Sequence, residues 1–442
     1  DMMEENRAIP VVSNEVENWP QGPVISARSA ILMDADTGAI LYNKDSHVRM
    51  YPASTTKLMT SLLVMEHEGS SLNDLVEISS AAVDLPWDAS TIDLVAGDKI
   101  TLEECLYAIL VCSANEVSNA VAEYVSGDID SFVKLMNKRA KELGCTDTTF
   151  EDAHGYSVNN HMTTAYDLAL IAKEAFKNEL LCKMARTPSY HWYPTEYQAQ
   201  DIEYGTHNLF LKGTYECEGL VGSKTGFTDE SRQVLVTAAE RNGMRLIAVV
   251  MQEETPNQYI DTLALFDYGF ANFQSVKVSE VEKRYSVADE DFFHSDSAVF
   301  GDSTALFSID KNSTVIVPKT TDFTELSSSL VYDKENPDII GCIYYSYHGI
   351  PLGKADVLLS KKKQETFAFD STDPKIKENE PDIKVNTEPT FIYVNYIVYA
   401  IVILFVIVFV TAMLVKLISN THFAGQKHKR KRKKPSSSYL DL

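Results

Sequence analysis

The 442-residue chain exceeds the usual size of one domain, so two folded domains are expected. Its 45% hydrophobic content is ordinary for a globular protein, and a formal charge of -23 excludes a nucleic-acid partner for the body. From Lys416 onward eight Lys or Arg face Asp441 alone, which leaves about -30 on everything before that tail.

Residues 1–24 read as an irregular leader carrying Asn18-Trp19-Pro20-Gln21-Gly22-Pro23. The numbering opens at Asp1 with no export signal, and a signal peptide is expected to have been removed or left out of it. Apolar runs at 30–33 and 39–42 flank Asp36-Thr37-Gly38, the pattern of a β-hairpin. A helix is predicted over 54–67, with Leu58, Leu62 and Met65 on one face. Further helices are predicted near 102–111, 115–124, 131–143, 164–177 and 256–273, and strands at 219–226, 233–240 and 245–251. Strands at both ends with helices between them imply an α+β domain over 25–275, its helices packed on an antiparallel sheet.

Short β-rich pieces follow at 299–307, 313–317, 339–347 and 355–359, implying a small all-β domain over 276–363. Residues 364–390 are charged and poor in apolar groups, as expected of a stalk. Residues 397–415 carry no charge and match the length of a membrane-spanning helix, within a segment set at 391–418. Tyr393, Tyr396 and Tyr399 stand where interface-seeking aromatics belong, and the basic cluster from Lys427 to Lys434 follows the span. The expected topology is single-pass in the cell membrane, with tail 419–442 cytoplasmic and the acidic body outside.

Cys105, Cys112, Cys145, Cys182, Cys217 and Cys342 form no CxxC or Cys/His cluster, so no zinc or other metal site is expected. Cys105 and Cys112 are about 10 Å apart along one predicted helix, too far for a disulfide. All six are taken as buried free thiols.

Three short motifs occur in order: Ser54-Thr55-Thr56-Lys57, Ser113-Ala114-Asn115 and Lys224-Thr225-Gly226. Each has an ordinary alternative. Ser54 could be a helix N-cap with Lys57 a solvated first-turn lysine, Ser113 a cap, and Thr225-Gly226 a turn at a strand end. The chemical alternative is more specific. A three-residue spacing at a helix start puts hydroxyl and amine on one face, and a lysine depressed by burial can take the serine proton. Ser113 could relay a proton, and Asn115 could grip a peptide carbonyl. Lys224 and Thr225 offer donors to a carboxylate, while Gly226 lets a substrate backbone approach the strand.

The segment from Arg49 to Thr60, with Ala96-Gly97-Asp98, Leu110 to Asn115, Met136 to Gly144, His161 to Leu168, Gly222 to Thr228 and Asp267-Tyr268-Gly269-Phe270, resembles the serine-type D-Ala-D-Ala carboxypeptidases, the low-molecular-mass penicillin-binding proteins. The resemblance covers about residues 25–275. It implies the penicillin-binding and β-lactamase-like transpeptidase fold, followed by the β-rich domain and a C-terminal anchor. It also implies that Ser54 attacks the D-Ala-D-Ala amide to form an acyl-enzyme, with Lys57 as general base. Ser113 would pass the proton to the leaving D-alanine, Asn115 would hold the peptide, and Lys224, Thr225 and Gly226 would line the carboxylate site. The backbone N–H groups of Ser54 and Phe227 would form the oxyanion hole. The implied partners are wall stem peptides ending in D-Ala-D-Ala and β-lactam inhibitors, with no cofactor.

Two departures stand out. Gln258 occupies a place where many members carry an arginine, and a spanning helix replaces the surface-lying anchor common among them. The competing readings are a β-lactamase and a non-catalytic penicillin sensor or wall-binding module. No Glu-x-x-Leu-Asn segment for class A deacylation lies between the second and third motifs, and a pure binder has no need of both Ser54 and Lys57.

Overall fold

The computed structural model describes residues 2–157, 159–195, 201–285, 307–332 and 339–359. The chain divides into two compact units, 1–363 and 364–442, and every element below belongs to the first. The expected stalk, span and basic tail lie outside the described residues. Among the described residues no helix is long and apolar enough to cross a membrane.

The chain opens with α1 (Met2–Arg7), then forms the hairpin β1 (Ser29–Asp34) and β2 (Ile40–Lys44). A 3-10 turn at Ala53–Thr56 leads into α2 (Lys57–Glu66), followed by the ribbon β3 (Leu75–Glu77) and β4 (Lys99–Thr101). Next come α3 (Leu102–Tyr107), a π turn at Ala108–Cys112, α4 (Asn115–Ser126), α5 (Ile129–Glu142), α6 (Ala165–Ala175) and α7 (Glu179–Ala185). A second ribbon joins β5 (Ser189–Trp192) to β6 (Ile202–Gly205). The meander β7 (Leu220–Thr228), β8 (Arg232–Arg241), β9 (Met244–Glu253) ends in α8 (Asn257–Asn272). The remainder is β10 (Phe273–Lys277), α9 (Val278–Val281), β11 (Phe307–Ile309), β12 (Thr314–Pro318), β13 (Ser327–Tyr332), β14 (Ile339–Tyr347) and β15 (Ile350–Leu359).

The first sheet runs β2-β1-β9-β8-β7, antiparallel throughout, so the chain's first hairpin and its late meander meet at β1 and β9. All six residues of β1 are buried, because the sheet is covered on both faces. Ile31, Met33, Val249 and Met251 face a core built with α2 to α6, whereas Ala30, Leu32, Ala248 and Val250 face a second core holding Leu265 and Phe266 of α8. An alternating pattern with one polar face would not serve here, which is why these strands read as continuous apolar runs.

The second sheet runs β10-β12-β15-β14-β13, with β11 on β15. It begins at Phe273, inside the stretch expected to close the first domain. Val315, Ile316, Val317, Ile343 and Leu352 share the α8 core rather than forming a separate one. The expected strand at 299–307 lies outside the described residues except for its last residue, which opens β11. The leader is not irregular. It contains α1, and Trp19 is buried with its indole N–H donating to the Leu41 carbonyl at 3.0 Å. No disulfide joins any of the six cysteines, but only four are buried; Cys217 and Cys342 are half-buried.

Helix starts differ in a way that bears on the site. α3, α5, α6 and α7 are each capped by a side chain, from Thr101, Asp128, Thr164 and Asn178. α2 and α4, which open at the first and second motifs, have no side-chain cap. Ser54 is therefore not an N-cap.

Candidate active site

Ser54 sits in the 3-10 turn ahead of α2, immediately after Ala53, whose φ of 48° is in the left-handed region. A non-glycine residue held there stores strain and turns the chain just before Ser54. Ser54 is half-buried, while Lys57 one turn on is 0% exposed. Lys57 Nζ reaches Ser54 Oγ at 3.0 Å, Asn115 Oδ1 at 2.6 Å and the His154 carbonyl at 2.9 Å. Burial drives its pKa well below the usual lysine value, and the Lys224 cation adds to the effect; Asp152 and Glu116 pull the other way. A buried amine beside a reachable hydroxyl is the arrangement a lysine base requires.

The second motif enters through backbone geometry. The π turn at Ala108–Cys112 ends on Ser113 in the left-handed region, φ 61°, which swings its hydroxyl away from the helix and starts α4 at Asn115. Ser113 Oγ accepts from Lys224 Nζ at 3.1 Å, so the second and third motifs meet directly. Lys224 is 2% exposed, its pKa lowered to about 7 by burial, with Cys112 opposing. Its amine also donates to the Thr225 carbonyl at 2.8 Å. Thr225 is half-buried and Phe227 is 50% exposed on the edge strand β7.

Gly226 also has a packing task of its own. A Cβ there would stand 2.9 Å from the Pro52 carbonyl oxygen and 3.0 Å from the Ser54 nitrogen. It lets β7 lie against the 52–54 turn of the same chain, and so brings the third motif beside the first.

A loop at 151–155 closes the site from below and was not singled out by motif. Asp152 accepts from the amides of His154 at 2.9 Å, Gly155 at 2.5 Å and Ser157 at 2.7 Å. That turn fixes the His154 carbonyl on Lys57. Burial works to raise the Asp152 carboxyl, but His154, His161 and the amides of Gly155 and Ser157 overcome it and hold it at about 2. His161 Nδ1 accepts the Glu151 amide at 3.1 Å, so its ring proton lies on Nε2 and is donated to Thr56 Oγ1, 2.8 Å away. Thr60 Oγ1 donates to the Ala153 carbonyl at 2.5 Å. The signal available in the sequence was the Asp-x-x-Gly turn and a histidine that the resemblance already covered.

Gln258 is 2% exposed, and its amide nitrogen lies 3.3 Å from both Gln233 Oε1 and Thr255 Oγ1. The cation at that end of β7 is instead Arg232, stacked 5.6 Å from the Phe227 ring centroid and held by Glu254 at 2.8 and 2.9 Å. Among the described residues no group of three or more His, Cys, Asp or Glu could hold a metal ion.

The sequence pattern of the D-alanyl-D-alanine carboxypeptidase family matches residues 16–255. The chain is 38% identical over 253 residues to D-alanyl-D-alanine carboxypeptidase DacF of Bacillus subtilis, a stretch covering 56% of this chain and 63% of that protein. It is 30% identical over 293 residues to DacA of Haemophilus influenzae, covering 63% and 70% of the two chains. Penicillin binding protein 5 from Haemophilus influenzae superposes with a TM-score of 0.61 at 26% identity, over 77% of this chain and 98% of that one. The Streptomyces K15 DD-transpeptidase does so at 0.53 and 30% identity, over 57% and 99%. With the family pattern spanning more than half of its length, around a hydroxyl, a buried amine and a strand edge brought into contact, the chain belongs to the D-alanyl-D-alanine carboxypeptidase family.

Proposed function

We propose that the protein is a serine DD-carboxypeptidase that removes the terminal D-alanine from wall stem peptides ending in D-Ala-D-Ala, and that β-lactams acylate it. The observation that carries this reading is the 3.0 Å contact between the Ser54 hydroxyl and a fully buried Lys57 amine. Lys57 Nζ takes the Ser54 proton as Oγ attacks the carbonyl carbon of the penultimate D-alanine. The oxyanion is held by the N–H groups of Ser54 and Phe227, at the turn where Gly226 admits β7. The Ser113 hydroxyl, linked to Lys224, delivers a proton to the departing amine of the terminal D-alanine as the amide bond breaks. Water then hydrolyses the Ser54 ester and releases the shortened peptide.

Asn115 orients the peptide and Lys57 together, and Lys224 with Thr225 receives the terminal carboxylate. The sequence run at 397–415 and the basic cluster behind it support a single membrane anchor, with the catalytic unit outside and the tail inside.

Release of D-alanine from an acetylated Lys-D-Ala-D-Ala tripeptide tests the reaction. A D-amino-acid oxidase assay should give stoichiometric D-alanine, while penicillin stays on Ser54 as a slowly lost adduct. Rapid multiple-turnover β-lactam hydrolysis without D-alanine release would assign the protein to the β-lactamases. Transfer of the acyl group to an added amine in preference to water would make it a transpeptidase. A chain ending at Pro389 should be soluble and active without detergent if the anchor lies beyond it.

A further inference from the structure

One buried acid near the site has no part in the steps above. Glu116 follows Asn115 in the first turn of α4 and is 1% exposed. Its Oε1 accepts the Ile92 amide at 2.7 Å, while its Oε2 is buried without a hydrogen-bond partner. Burying a carboxylate this deeply is costly, so structural convenience alone does not account for it. The segment that Glu116 anchors also reaches the second motif, since the Ser90 carbonyl accepts the Asn115 amide at 2.8 Å. Asn115 in turn holds Lys57 Nζ at 2.6 Å.

We propose that Glu116 is a positioning residue for the acylation step: from the start of α4 it fixes the 90–94 segment against Asn115 and, when ionised, supplies a negative charge that keeps the buried Lys57 amine basic enough to take the Ser54 proton. Burial raises the Glu116 carboxyl to about 7, with the backbone amides of Ile92, Glu116 and Leu94 and the Lys57 charge opposing. The groups that face it are Lys57 from α2, Cys112 from the π turn and Tyr204 from β6. Lys57 itself also feels Lys224 from β7 and Asp152 from the 151–155 loop. Burial and Lys224 both push Lys57 toward a weak base. A base too weak to hold a serine proton is as useless as one already protonated. An ionised Glu116 restores part of that lost basicity, and the two groups titrate as a coupled pair.

The inference rests on the carboxypeptidase reading, and its test separates the two. Penicillin acylation of Glu116→Gln is followed against pH by stopped-flow. The acid limb should move down by about 1 pH unit, and the plateau rate should fall. A structural role would lower the rate at every pH and leave the midpoint in place. An unmoved midpoint overturns the proposal. Should Glu116→Gln fail to fold, the wild-type protein labelled with 13C at the glutamate carboxyls is titrated by NMR. One resonance should titrate near 7, apart from that of Glu253, which burial and Asp261 raise to about 10, and its midpoint should shift on penicillin acylation. Absence of any carboxyl titrating near 7 overturns it as well. That titration requires no turnover, so it can succeed or fail whether or not D-alanine is released.

Discussion

The Cβ that Gly155 lacks would fall 1.8 Å from the carbonyl oxygen of Ala53, the residue that aims Ser54. Gly155 also has φ +87°, a conformation that other residues adopt only with strain. Gly155→Ala therefore has to displace the nucleophile turn, and should cost about 2–4 kcal/mol with most penicillin acylation lost. Gly127, at the end of α4, has φ +83° and nothing within 4 Å of a Cβ. Gly127→Ala should cost only about 1 kcal/mol and leave acylation intact. Thermal melts and intact-mass adduct yields on the two variants check the contrast. Equal acylation in both would show that the Ala53–Gly155 contact does not position Ser54.

Ser54→Ala should take up no penicillin adduct, and Lys57→Ala should fold yet acylate about 10²- to 10⁴-fold more slowly. An adduct of undiminished yield on Ser54→Ala would place the nucleophile elsewhere.

Lys224 is held near 7 against an ordinary value of 10.5 because burial disfavours its charge. The unfolded chain thus binds this proton more tightly than the folded one. Stability rises as pH climbs from about 7 to 10.5, and the penalty is fully present below that window. Lys224→Met should abolish acylation while raising stability by about 1 kcal/mol at neutral pH. The gain should shrink in melts recorded toward the alkaline end of the window. A gain that grows with pH would mean that the folded lysine keeps its proton.

Asp152 works in the opposite sense. Its carboxyl is held at about 2 against 3.8, so its stabilisation is fully present above 3.8 and is lost as pH falls through about 2. Asp152→Asn removes charge-assisted bonds from three amides, and should cost about 2 kcal/mol with slower acylation as the His154 carbonyl drifts from Lys57. Denaturant unfolding and stopped-flow acylation measure the two effects. Wild-type acylation in a destabilised Asp152→Asn would show the loop to be a scaffold without influence on Lys57.

Features that depend on near neighbours were legible from the residues alone. The placement of Ser54 and Lys57 on one helical face follows from backbone periodicity, and apolar runs marked β1, β8 and β9 because strands buried on both faces need no polar alternation. The late helices were legible for the same reason. The state of the groups those elements carry arose only when distant segments packed together. The same Ser-x-x-Lys could have been a cap and a solvated amine, and nothing within four residues says otherwise. Lys57 became a base candidate because α4 and the 151–155 loop removed water from it, and because β7 brought a second cation. Gly226 and Gly155 look like turn glycines in one dimension, yet each is required by a contact with residues 52–54 that lies far away in the chain. The second sheet could not be separated at its expected boundary either, since β10 and β12 complete the core beneath α8. Periodicity is a local property of the backbone, whereas desolvation and close approach arise only when distant segments meet.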